Sequence, residues 1–181
     1  MRKCLCVLAC IIILCSGYRT IDRFHIDAVT NANRHNTLGT EYMRERCYYA
    51  AIQEFKIAIS LNSDTQSSAV YYNNLGEVYM IIGYPGMAED CFERALKLYG
   101  LNFKFYQNMA ECYAKLGLTN KKILQFKRSK NPLDKVTLGL LYIQRGDKQK
   151  GIIVLDDFCM SEPDLIITTG VRGYLKKIVA E

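Results

Sequence analysis

One five-residue phrase recurs four times along this chain. Leu75-Gly76-Glu77-Val78-Tyr79 has counterparts in Leu38-Gly39-Thr40-Glu41-Tyr42, Met109-Ala110-Glu111-Cys112-Tyr113 and Leu138-Gly139-Leu140-Leu141-Tyr142. The copies stand 37, 34 and 29 residues apart. Such a period marks one supersecondary unit stacked on itself, because a single unit of that size cannot bury its own apolar face. A stack of this kind offers an extended surface to other chains and seldom performs chemistry.

The second unit shows how each one is built. Tyr72, Leu75, Gly76 and Tyr79 recur at the spacing of one helix face, and Gly83 closes that helix. Pro85 stands where a first helical turn tolerates proline. Ala88, Phe92 and Ala95 then fall on the core face of a second helix. The first unit has the same order in His35, Leu38, Gly39, Tyr42, Ala51, Phe55 and Ala58, but Arg46 takes the place of the turn glycine, which predicts a wider turn. In the third unit Lys122 and Ser129 replace small residues, and Asn131-Pro132 ends the second helix early. The fourth keeps Leu138, Gly139, Tyr142 and Gly146, with Lys135 in the aromatic place and Gly151 and Leu155 on its second helix.

At these residues the pattern resembles the tetratricopeptide repeat. The resemblance runs from Ala32 to about Pro163 and implies an all-α, right-handed α-α solenoid of about four helix hairpins. Residues 164–181 read as a C-terminal capping helix carrying Leu165, Ile166, Val171, Leu175, Ile178 and Val179. Gly170 and Gly173 weaken it, so its first half is expected to be irregular.

The start of the chain reads differently. Arg2-Lys3 precede an uncharged apolar run from Cys4 to Cys15, followed by Ser16-Gly17. Its twelve residues suit a signal-peptide core and fall short of the roughly 20 that span a bilayer as a helix. Residues 1–17 are therefore read as a signal peptide and 18–31 as a linker or N-terminal extension, and the chain is expected to be exported to a periplasm or membrane-associated cell envelope. Two processing routes fit: cleavage near Ser16 or Gly17, or acylation at Cys15. From Gly17 onward 22 Lys and Arg face 18 Asp and Glu, a mildly basic balance that does not imply nucleic acid. Cys47, Cys91, Cys112 and Cys159 lack the close paired spacing of a zinc site. They read as small buried hydrophobes, with Cys91 and Cys112 the pair most nearly brought together.

No catalytic constellation is legible. His35 substitutes for a packing aromatic, and His25 lies in the linker. Adjacent Asp156 and Asp157 point about 100° apart on a helix. Gly83-Tyr84-Pro85-Gly86 lacks the lysine and hydroxyl of a phosphate loop. No cofactor or metal is expected, and most of the thirteen tyrosines stand at core spacing.

The resemblance also implies a concave groove lined by the first helix of each unit, holding a protein or peptide partner. Carried over position by position, it holds Asn36, Thr40 and Met43, then Asn73, Glu77 and Met80. Gln107, Glu111 and Ala114 follow, and Val136, Leu140 and Ile143 end it. The floor thus passes from amide-rich to apolar, and an exposed patch of Val136, Leu140 and Ile143 is expected unless the final helix covers it. A lysine–asparagine clamp for C-terminal carboxylates, known in part of this family, is matched only at Asn74 and Lys104. Asn36, Thr40 and Asn108 stand where its other residues would be, so the clamp is incomplete.

Between Lys115 and Arg145, eight basic residues face Asp134 alone. Lys121, Lys122, Lys127, Arg128 and Lys130 concentrate on the third unit's second helix, away from the groove. They read either as a solvated face or as a contact for an anionic membrane surface or cell-wall polymer. Together these features point to a non-enzymatic scaffold of a bacterial cell envelope. A carbohydrate- or peptidoglycan-associated accessory protein and a membrane-tethered cytoplasmic adaptor are the alternatives.

Overall fold

The computed structural model describes residues 28–180. The expected signal peptide, its cleavage site and Cys15 lie outside the described residues. Nine helices and no strand occur among those described. They are α1 (Ala28–Arg44), α2 (Tyr48–Leu61), α3 (Gln66–Ile81), α4 (Pro85–Leu98), α5 (Phe103–Lys115), α6 (Thr119–Phe126), α7 (Asp134–Gln144), α8 (Lys148–Ser161) and α9 (Ile166–Ala180). The chain is an all-α solenoid. Helices α1–α8 pair as four hairpins, each second helix packs on the next hairpin's first, and successive first helices also touch.

The recurring phrase sets the distance between paired helices. A Cβ added to Gly39 would stand 2.7 Å from the Phe55 ring, and one added to Gly76 would stand 2.6 Å from that of Phe92. Carbon atoms pack at about 3.5–4.0 Å, so only glycine lets the aromatic ring close against the facing backbone. In the fourth hairpin Leu155 plays the ring's part, 2.5 Å from a Cβ built on Gly139.

The turns repeat as faithfully as the helices. Gly83, Gly117 and Gly146 have φ of 86°, 70° and 93°. The next amide in each turn donates back to a tyrosine carbonyl, Tyr84 to Tyr79, Leu118 to Tyr113 and Asp147 to Tyr142, at 2.8–2.9 Å. Arg46 does not widen its turn. It adopts the same left-handed backbone at φ 61°, and Cys47 donates to Tyr42 at 2.8 Å. The glycine geometry is kept at a conformational cost.

Two boundaries differ from the sequence expectation. Helix α1 begins at Ala28, so residues 28–31 belong to the first hairpin and not to a linker. Helix α9 is continuous from Ile166, and Gly170 does not disrupt it. A Cβ there would stand 2.8 Å from the Phe103 Cβ, so this glycine admits α5 to the surface of α9.

Helix α6 stops after eight residues, where α2, α4 and α8 each have 14. The lost turns leave a back-face hollow of about 440 Å³ whose lining includes Tyr106, Met109, Tyr113 and Thr137. With so little of α6 between them, α7 packs directly on α5.

Candidate peptide-binding groove

The first helices place their polar residues on one side, where these bond from hairpin to hairpin. Tyr71 Oη donates to Asn33 Oδ1 at 2.5 Å, and Asn74 Nδ2 donates to Asn36 Oδ1 at 2.9 Å. Asn108 Nδ2 donates both to Asn73 Oδ1 at 2.7 Å and to Glu77 Oε1 at 2.6 Å. The same Glu77 oxygen accepts from Asn73 Nδ2 at 3.2 Å and lies 3.6 Å from Lys104 Nζ. Burial of Asn73 and Asn108 makes these bonds obligatory, since an unpaired buried amide costs about 1–3 kcal/mol. Much of the amide capacity expected to meet a guest backbone is thus spent between hairpins. Thr40 is exposed, and its hydroxyl donates to the Asn36 carbonyl at 3.0 Å.

Two clefts flank α5. One, of about 180 Å³, is lined by Glu77, Met80, Ile81, Phe92, Lys104, Asn108 and Glu111. Lys104, Asn108 and Glu111 also border the second, of about 210 Å³, with Gln107, Leu140, Gln144 and Tyr174. Met43 is half-buried and packs against the core at the first hairpin. Asn73, Glu77, Met80, Lys104, Gln107 and Glu111 therefore belong to the clefts or their supporting bonds, while Asn36 and Asn74 bond to each other across the first two hairpins.

The far end is closed. Val136 and Leu140 are fully or nearly buried and Ile143 is half-buried, so these three form no exposed patch. Every residue of α7 from Val136 to Tyr142 is buried. Helices α5, α6 and α8 all pack on α7, Ile143 lies against Gly151 of α8, and α9 closes the end of the stack. Helix α9 packs on α8 and α5, bracketing α7, and Ile167 and Val171 join the same apolar cluster as Val136 and Leu140. Phe103 and Tyr174 stand with ring centroids 5.5 Å apart, which fixes α9 against the start of α5.

The basic surface is smaller than the sequence suggested. Lys122 is half-buried: its side chain is only 14% exposed, its ammonium lies 4.2 Å from the Tyr113 ring centroid, and Glu89 is 3.6 Å away. It takes the usual small residue's place by laying its stem on the tyrosine. Lys127 lies 5.7 Å from the centroid of the Tyr142 ring. Lys121, Lys127, Arg128 and Lys130 are exposed. The four described cysteines are free thiols, and burial pushes Cys91 and Cys112 up to about 12. Among the described residues no group of three His, Cys, Asp or Glu is placed to hold a metal.

The family profile described as "Tetratricopeptide repeat" matches residues 69–102, which is most of the second hairpin and the turn that follows it. Residues 69–102 are a tetratricopeptide repeat, and the hairpins on either side of it stack with the same fold. Solved structures of similar fold include MamA, with 20% identity over 74% of this chain and 79% of that one and a TM-score of 0.51. Pseudomonas aeruginosa pilF is similar at 17% identity over 82% and 68%, TM-score 0.52. The second TPR domain of human RPAP3, solved with the HSP70 peptide SGPTIEEVD, is similar at 17% identity over 72% and 97%, TM-score 0.50. At these identities the likeness is one of fold. No curated protein matches the chain. Within this tetratricopeptide array the clamp positions are already engaged: Asn74 holds Asn36, and Lys104 holds Glu77.

Proposed function

We propose that this chain is a non-enzymatic scaffold that holds an extended segment of a partner protein in its concave groove and helps assemble a complex in the bacterial cell envelope. The observation that carries the reading is the asymmetry of the groove. The apolar face of α7 is buried among α5, α6 and α8, while two clefts stay open beside α5, the second bounded by Gln144 of α7 and Tyr174 of α9. A repeat domain of similar fold, that of human RPAP3, is solved with a bound peptide, which supports peptide capture by this architecture. The envelope setting rests on the leader pattern of residues 1–17. Among the described residues no helix is long and apolar enough to cross a membrane. Exposed Lys121, Arg128 and Lys130 lie away from the groove on and beyond α6, where they are free to meet an anionic surface while the groove is occupied.

Photocrosslinking in cells tests the groove. A benzoylphenylalanine in place of Ile81, which is 52% exposed in the first cleft, should yield a discrete crosslinked protein. The same residue in place of Leu124, 61% exposed on α6, should not. Equal crosslinking from both positions would reject the groove. Palmitate labelling and sequencing of the mature N-terminus test export. A chain that keeps Met1 and carries no lipid would reject the envelope assignment.

A further inference from the structure

We propose that the open groove selects a segment bearing a lysine or arginine with apolar side chains on both sides, an inference that rests on the groove reading above. The selecting feature is the exposed edge of α5. Lys104, Asn108 and Glu111 border both clefts, so this edge is the ridge between them. Lys104 and Glu111 are seven residues apart, two helical turns and about 10 Å along the axis. Lys104 is already matched, 3.6 Å from a Glu77 carboxylate that also takes bonds from Asn73 and Asn108. Glu111 is exposed and forms no ion pair with a described residue. Lys115, one turn further, lines neither cleft. The ridge therefore presents one uncompensated negative charge.

The ground on either side is apolar in part. Met80 and Ile81 stand in the first cleft and the half-buried Tyr174 ring borders the second, with Gln107 and Gln144 available to a guest backbone. In an extended segment alternate side chains share a face, and positions i and i+4 lie about 13 Å apart. That reach crosses one helix, since packed helix axes lie about 8–10 Å apart. The matching segment is apolar–x–basic–x–apolar, its cation over Glu111. An acidic tail would meet Glu111 with the neighbouring lysine already taken.

Fluorescence anisotropy with the full chain and two labelled peptides tests this, one containing Leu-Ser-Lys-Ser-Phe and the other Leu-Ser-Glu-Ser-Phe. The lysine peptide should bind roughly five- to tenfold tighter, as attraction is exchanged for repulsion at a solvated charge. Glu111→Lys should reverse the order and Glu111→Gln should level it, with each variant's helicity checked by circular dichroism. Equal affinities, or a preference that Glu111→Lys leaves unchanged, overturn the charge rule while the groove stands. Binding of neither peptide overturns the groove reading along with it.

Discussion

Two glycines three residues apart in α9 should answer oppositely to the same substitution. Gly173 has nothing within 4 Å of an added Cβ. Gly173→Ala should therefore stabilise the helix by about 1 kcal/mol, the ordinary difference in helix propensity. Gly170→Ala earns the same propensity but drives its Cβ to 2.8 Å from the Phe103 Cβ and 3.4 Å from Cγ. Those atoms are tied to the α5 backbone and cannot swing aside as a side-chain tip would. Overpacking of this sort costs about 1–3 kcal/mol, so the net change runs from about zero to 2 kcal/mol unfavourable. Stacked units open partly independently, so the assay is amide exchange within α9, where 1.4 kcal/mol is about tenfold in protection. Gly173→Ala should slow exchange several-fold, and Gly170→Ala should leave it unchanged or faster. If both slow it equally, α9 does not rest on α5 and does not close the end of the stack.

Arg46→Gly should stabilise the first hairpin by roughly 0.5–1 kcal/mol in urea unfolding, because it relieves a left-handed arginine, whereas Gly83→Ala should destabilise by about 1 kcal/mol. In a chain starting at Tyr18, a thiol reagent should titrate exposed Cys47 at once and buried Cys91 and Cys112 only on unfolding. Stability should fall as pH rises above 9: burial holds the folded Cys91 and Cys112 thiols protonated up to about 12, whereas the unfolded thiols, at 9.0, release their protons. The unfolded state then binds fewer protons, so the slope is negative, and a Cys91→Ala, Cys112→Ala double variant should flatten it in urea titrations at pH 8 to 10. Lys122→Ala should lower the melting temperature by a few degrees, through loss of about 1 kcal/mol of contact with Tyr113 and Glu89.

What the sequence discloses here follows from the range of each interaction. The approach of Gly76 to Phe92 is written within one hairpin, and spacing alone reveals it. The early end of α6 is equally local, announced by Asn131-Pro132. Arg46 misleads because glycine is the cheapest residue for a left-handed turn, though not the sole one able to adopt it. The groove is harder to read because its partners are distant. Asn73 looks free in the sequence, and its acceptor oxygen is taken by Asn108, 35 positions away. Val136, Leu140 and Ile143 announce surplus apolar surface, and only the packing of α5, α6 and α8 around α7 tells where it goes. Lys122 looks like surface because its charge is visible in sequence and its seat on Tyr113 is not.

A partner should seat on the face of α3 and α5 and not on the back of the solenoid. Titrating the isotope-labelled chain with the lysine-centred peptide and following backbone amide shifts tests it directly. Shifts should cluster at Ile81, Gln107 and Glu111 and spare Leu124 and Ile153. Shifts centred on Leu124 and Ile153, with Ile81 and Glu111 unmoved, would contradict it.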